Sequence, residues 1–239
     1  MRVELQPAFV LHRRDFRNSS LIVEAFTPGF GRIGMVARGV RRPRSEKNAL
    51  LQSFRPLLIS WTGKGELYTL TNVEAAQFVN PVTGSAYASC FYLNELVMRL
   101  LQRDDAHKEV YALYQQALQD IQTAPSATAT ERVLRLFEKQ LLQELGYGLM
   151  LECEADSGQA LDADGEYCYE PEYGPVLRSI GRPASGVMVS GQSLLSLARH
   201  ELADARSLRD SKRLMRAVLR EYLGDKPLQS RMLYTQARP

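Results

Sequence analysis

The sequence predicts an α+β protein: a barrel of five short antiparallel strands, followed by a mainly helical region carrying a small hairpin-containing insertion. Three observations support this. Residues 7–76 hold five short runs rich in β-branched and aromatic residues, separated by Gly and Pro turns. From Tyr87 onward the apolar period lengthens to that of a helix. The composition, 45% hydrophobic and 24% charged over 239 residues, allows one large domain or two smaller ones, each with its own core.

The strands are expected at Ala8–Arg14, Ser19–Thr27, Arg32–Arg38, Arg55–Thr62 and Glu66–Ala75. Pro28-Gly-Phe-Gly31 and Gly63-Lys-Gly65 supply turns. Five strands in so short a stretch fit a closed barrel of the OB type, which leaves no exposed edge. Between the third and fourth strands lies Val36–Lys47, where Arg38, Arg41, Arg42, Arg44 and Lys47 face one acid, Glu46. One helical turn is expected there as well. A guanidinium-rich loop between barrel strands is suited to gripping phosphates.

Asn80-Pro-Val-Thr-Gly84 reads as a junction. Beyond it, Tyr87, Phe91, Leu93, Leu96, Leu100 and Leu101 follow helical spacing, and so do Val110, Leu113, Tyr114, Ala117, Leu118 and Ile121. Ala124–Thr130 reads as a polar break with N-cap residues. A third helix then carries Val133, Leu134, Phe137, Leu141, Leu142 and Leu145, with Gly146 as its stop. Residues 147–190 show no clear period, although Tyr167–Leu177 suits a hairpin with a Gly turn. Helices return over Gln192–Glu201, with Ser190 and Ser193 as cap candidates, and over Asp204–Leu223. The expected organisation is a barrel domain at 1–80, a first helical part at 81–150, an insertion at 151–190, and closing helices at 191–239.

At 100° per residue, Arg206, Arg209, Arg213, Arg216 and Arg220 form one row on the last helix. Leu208, Met215, Val218, Leu219 and Tyr222 lie nearly opposite, with Leu214 at their margin. Asp210 and Glu221 are too few to neutralise the row through i,i+4 pairs. This is a second candidate basic surface; the bland alternative is a solvated face.

Net charge is only +3, but it is unevenly spread. Residues 1–80 hold 12 Lys/Arg against 6 Asp/Glu; residues 152–177 hold eight acids and no base; residues 199–239 hold ten bases and five acids. Such polarity favours a polyanionic partner.

Several chemistries find no support. No apolar run approaches the ~18 residues of a membrane span, and the start lacks the apolar core of a signal peptide, so a cytoplasmic protein is expected. Cys90, Cys153 and Cys168 suggest neither a disulfide framework nor a C-x-x-C metal site. No phosphate-cradling G-x-x-x-x-G-K-[ST] loop occurs, so no ATP site is expected, and neither G-x-S-x-G nor H-E-x-x-H appears. His12, His107 and His200 stand far apart. Glu152, Glu154, Asp156, Asp162 and Asp164 are the acids a metal-dependent nuclease could use, but their spacing departs from a calcium loop and solvated turns are the simpler reading. No enzyme is expected.

In their order and spacing, several segments resemble RecO, a bacterial recombination-mediator family of DNA repair. They are Ala8–Arg13, Ser20–Thr27, Gly31–Gly39, Tyr92–Leu96, Arg135–Glu138 with Leu145-Gly-Tyr147, and Gly224–Arg231. The resemblance implies an OB domain, a helical domain, and a small module that binds zinc through four cysteines in some members. Only Cys153 sits where such a ligand belongs and Cys168 lacks a partner, so no zinc is expected. The implied activity belongs to the RecF pathway. It consists of binding single- and double-stranded DNA, annealing complementary strands, and helping RecR load RecA onto strands coated by the single-strand binding protein SSB. The acidic, Phe-ending SSB tail is bound in the helical domain, and Arg135 matches a tail-contacting arginine. The expected DNA contacts are Arg38, Arg41, Arg42, Arg44 and Lys47, flanked by Arg13, Arg14, Arg17 and Arg32. The resemblance places the chain in the cytoplasm, on the nucleoid when bound to DNA. The alternatives are an adaptor whose basic face binds acidic protein tails, and the nuclease.

Overall fold

A computed structural model describes residues 1–77, 81–178, 186–224, 226–230, 232 and 233. Asn80 of the expected junction, and Asp225 and Arg231 of the closing motif, lie outside the described residues. The chain packs as two compact units, Met1–Gln122 with residues from Leu228 on, and Thr123–Pro227.

The first unit is built on a closed barrel of strands β1 (Arg2–Phe16), β2 (Ser20–Thr27), β3 (Gly31–Ala37), β4 (Leu57–Thr62) and β5 (Tyr68–Ala75), in the order β1-β2-β3-β5-β4. The first strand is about twice its expected length. Register shifts between Val3 and Gln6 and between Val10 and His12 divide it. Its first half pairs with β4 and its second with β2, so one bent strand closes the barrel. A short parallel pairing, Met35 with Tyr68 and Val36 with Thr69, closes the other side. Leu21, Val23, Ala25, Ile33, Met35 and Trp61 fill the interior. The helical turn expected between β3 and β4 is α1 (Glu46–Leu50).

Every residue of β2 is buried, which a barrel strand with one wet face cannot show. Helices α2 (Ser85–Leu100) and α3 (Lys108–Thr123) explain it. The rings of Tyr111 and Tyr114 sit 5.4 and 6.0 Å from Phe26, and 5.5 and 5.3 Å from Phe9. Asn94 Nδ2 donates to Leu11 O at 2.7 Å, and the Tyr114 hydroxyl donates to Asn94 Oδ1 at 2.5 Å, so the covered face leaves these polar groups satisfied. At Gly31, φ is +63° and an added Cβ would lie 1.7 Å from Asp105 O. Only glycine lets the segment after α2 run this close to β3.

In the second unit, α4 (Ala127–Glu144) takes in the last four residues of the expected polar break. Ser126 caps it by accepting from Ala129 N, and Ala127–Thr130 are its first turn. Gly146, at φ +84°, follows its end. The expected hairpin is β6 (Glu166–Glu170) and β7 (Gly174–Leu177), and a third strand, β8 (Val187–Ser190), pairs with the other edge of β6. Helix α5 (Gly191–Ala198) is capped by Ser190. Helix α6 (Ala205–Leu223) is capped by Asp204, which accepts from the backbone N–H groups of Arg206 and Ser207. Its apolar stripe is buried as expected, but Leu214 lies at the centre, fully buried, and Tyr222 is the margin, stacked on Tyr147 at 4.3 Å.

Candidate nucleic-acid interface

The 38–47 loop is held at two points. Val40 is buried in the barrel core and faces the loop's arginines outward. The Arg41 backbone N–H donates to Ser19 O at 3.0 Å, and its guanidinium donates to Arg17 O at 3.2 Å and pairs with Asp15 at 2.8 Å. The loop is thereby fastened to the β1–β2 turn, and this brings Arg14 and Arg17 to the same end of the barrel. Lys47 Nζ donates to Thr71 O on β5 at 2.9 Å. Arg13 donates to Asn48 Oδ1 at 3.2 Å and to Leu51 O at 3.3 Å.

Arg14, Arg17, Arg38, Arg42 and Arg44 are exposed, and none has an ion-pair partner among the described residues. Arg17 lies over the Phe16 ring, 5.1 Å from its centroid. Five unneutralised guanidinium groups around two connected turns form a surface suited to phosphate. Lys47, Arg41 and Arg13 are partly committed to holding that surface in shape.

Arg32 is placed elsewhere. Its guanidinium donates to Met98 O, and to Leu101 O at 2.6 Å, at the end of α2; Glu24 lies 3.8 Å away. Its side chain is only 11% exposed. Burial lowers its pKa, and Glu24 opposes that shift. The expectation that Arg32 flanks the DNA surface is corrected: the group is spent on the carbonyls that end a helix. Arg103 completes the cluster by pairing with Glu24.

On α6 all five row arginines are exposed, but the row is not uniform. Arg206 pairs with Glu166 of β6, and Arg213 pairs with Asp210 at 2.6 Å and donates to Met188 O at 2.9 Å. Counting acids on the helix alone missed Glu166, which a neighbouring strand supplies. Arg209, Arg216 and Arg220 remain without an ion pair among the described residues. Arg135 is buried on α4 and pairs with Glu138 at 2.5 Å; Glu131 pairs with Lys212 instead. Arg135 Nε has no partner among the described residues.

Tyr111 and Tyr114 cover the outside of the barrel where β1 meets β2, against Phe9 and Phe26.

The family model described as Recombination protein O N terminal matches residues 1–79, and that described as Recombination protein O C terminal matches residues 82–232. The chain belongs to the RecO family. Relatives named DNA repair protein RecO bear this out over full length. That of Nitrosococcus oceani is 47% identical, covering 100% of this chain and 95% of its own. That of Nitrosospira multiformis is 45% identical, covering 97% and 95%, and that of Alkalilimnicola ehrlichii 47% identical, covering 98% and 92%.

In this RecO chain three acids of residues 152–164, Glu154, Asp156 and Asp162, accept hydrogen bonds from nearby groups. Glu154 accepts from the Ser157 hydroxyl at 2.5 Å and from Leu177 N at 3.1 Å, and Asp162 accepts from Asp164 N at 3.0 Å. Among the described residues no three His, Cys, Asp or Glu side chains come together in a group that can hold a metal ion. Cys153 is exposed and Cys168 buried, both as free thiols. No described helix is long and apolar enough to cross a membrane. Arg103 and Arg55 were missed in the sequence. Each is an isolated arginine, and only the fold shows what stands beside it.

Proposed function

We propose that this RecO protein is a non-enzymatic recombination mediator. It binds single- and double-stranded DNA through phosphate contacts, anneals complementary strands, and with RecR helps load RecA onto SSB-coated single strands. It works in the cytoplasm, on the nucleoid when bound, and needs neither zinc nor ATP. The observation that supports this most directly is the cluster of five exposed arginines at the barrel end, with no ion-pair partner among the described residues, beside a loop anchored through Val40 and Arg41. Contacts of this kind read charge rather than sequence. Neutralising the phosphates of two strands lets them approach, so annealing requires no nucleotide hydrolysis.

The reading extends to SSB-tail binding by the helical domain, which the resemblance to RecO implies. Arg135 is the matched contact, but it is buried and paired with Glu138, so a tail reaches it only by displacing that pair. A terminal carboxylate is the group that would take the place of Glu138 on the guanidinium.

The test is charge reversal at the barrel end, Arg42→Glu with Arg44→Glu, followed by titration with single- and double-stranded DNA at several salt concentrations. The slope of log affinity against log salt should shrink by about 0.7–0.9 per lost phosphate contact. Binding of an acidic tail peptide should be unchanged. Loss of peptide binding with DNA binding intact would instead support the adaptor reading.

A further inference from the structure

A groove of about 480 Å³ opens on the first unit between the second half of β1, the segment before β4 and the start of α2. Its wall is aromatic. Tyr87, on the first turn of α2, is 45% exposed. Its ring stands edge-on to the buried Phe54 ring at 5.5 Å and nearly parallel to that of Phe91, at 6.3 Å and 20°. Phe54 has a φ of +68°, a conformation L residues seldom adopt, and its ring is held from below by the core. Arg13 and Arg55 give the rim its positive charge, His12 lies between the walls, and no acid among the described residues lines it. Arg55 makes no ion pair with any described residue. Arg13 is shared, because it lines the groove and also bonds Asn48 and Leu51 beside the basic loop.

The geometry points to a base-stacking subsite for single-stranded DNA, in which an unpaired nucleobase lies on the Tyr87 ring and its phosphates meet Arg55 and Arg13. The inference rests on the DNA-binding reading above and adds to it a site that tells a single strand from a duplex. An exposed, pre-oriented aromatic face with neighbouring guanidinium groups is how unpaired bases are held without regard to sequence. A duplex keeps its bases stacked on one another and offers only phosphates. The volume lies within the usual range for small-ligand clefts, roughly 300–1,000 Å³. A strand held at the basic end reaches this aromatic surface by way of Arg13, which lines the groove and bonds Asn48 next to the loop. An acidic peptide carrying an aromatic residue has similar chemistry. The bond network linking Arg13 to the basic loop favours the nucleic acid.

The experiment uses the full chain, three nucleic-acid probes of equal length (oligo-dT, the same strand with abasic sites throughout, and a duplex) and an acidic, Phe-ending peptide. Tyr87→Leu keeps the apolar cover and removes the aromatic face, while Tyr87→Phe keeps the face. Thermal unfolding of each variant confirms the fold. Tyr87→Leu is expected to weaken oligo-dT binding about 5- to 20-fold, leaving abasic-strand and duplex affinity unchanged, and Tyr87→Phe to stay within about twofold of the parent. Unchanged oligo-dT affinity in Tyr87→Leu overturns the proposal, as does an equal loss on the abasic strand. A loss confined to an acidic, Phe-ending peptide assigns the groove to a protein tail and also overturns it. The Arg42→Glu, Arg44→Glu variant, run in parallel, separates the two claims. If it binds all three probes normally while Tyr87→Leu still loses oligo-dT, the phosphate surface is wrong and the stacking site stands.

Discussion

Arg32 and Arg42 carry the same side chain ten positions apart, and the structure gives them opposite roles. Arg42 projects from a loop whose apolar anchor, Val40, points the other way. Arg32 lies on β3, and its guanidinium turns to the carbonyls of Met98 and Leu101 with Glu24 beside it. Burying a charge is tolerated only when it is paired and hydrogen-bonded, and removing one partner leaves the other uncompensated. Arg32→Ala should therefore destabilise the fold by about 3 kcal/mol, near the lower end for a broken buried pair because Glu24 keeps Arg103. The folded fraction should bind DNA as the parent does. Urea unfolding together with binding titrations checks both halves; weakened DNA binding at unchanged stability would return Arg32 to the interface. Arginine content is legible in a sequence, but the direction of each guanidinium is set by what packs beside it. That is why the basic end could be anticipated while Arg32 could not be excluded from it.

Local signals located most elements. Ser190 reads as a cap and acts as one, Asp204 reads as the first residue of the last helix and is its cap, and Gly146 reads as a stop and has the positive φ that a stop favours. Two elements were obscured for physical reasons. Ala127–Thr130 carries no apolar period because the first turn of α4 is largely exposed, and its short side chains read as loop. Strand β8 is four residues long, and its partner β6 is remote in sequence, so its pairing has no local signature. The end of α5 carries a testable pH dependence. Lys139 Nζ donates to Ala198 O and to His200 Nε2, each at 2.8 Å. This requires His200 to be neutral. Burial first, and then the Lys139 charge, lower the His200 pKa below 6.5. As pH falls through 6.5 the unfolded chain takes up the proton before the folded one does, so this contact's contribution is present above that value and is lost below it. His200 has a φ of +61°, which asparagine tolerates, so His200→Asn removes the titration without backbone strain. The parent's melting temperature should drop more than the variant's between pH 7.5 and 5.5; equal drops would show that His200 is not responsible.

Across the whole chain the net charge of +3 says little, because acids and bases are segregated along it. The helix row illustrates the limit of reading charge from one element. Asp210 and Glu166 engage Arg206 and Arg213, leaving Arg209, Arg216 and Arg220 as the cations without an ion pair among the described residues. The barrel end has five such cations on two connected turns and an aromatic groove nearby. The two surfaces should therefore differ in what they contribute. A single strand needs one continuous basic track, whereas annealing needs a second place for the complementary strand. Reversing Arg209, Arg216 and Arg220 to Glu should leave single-strand affinity within about threefold but slow annealing of complementary oligonucleotides several-fold more than it weakens binding. Reversing Arg42 and Arg44 should depress both together. Stopped-flow fluorescence of labelled complementary strands, run beside equilibrium titrations of the same variants, measures the two quantities. If the α6 variant anneals at the parental rate, the row faces only solvent or protein and the second strand must be held elsewhere.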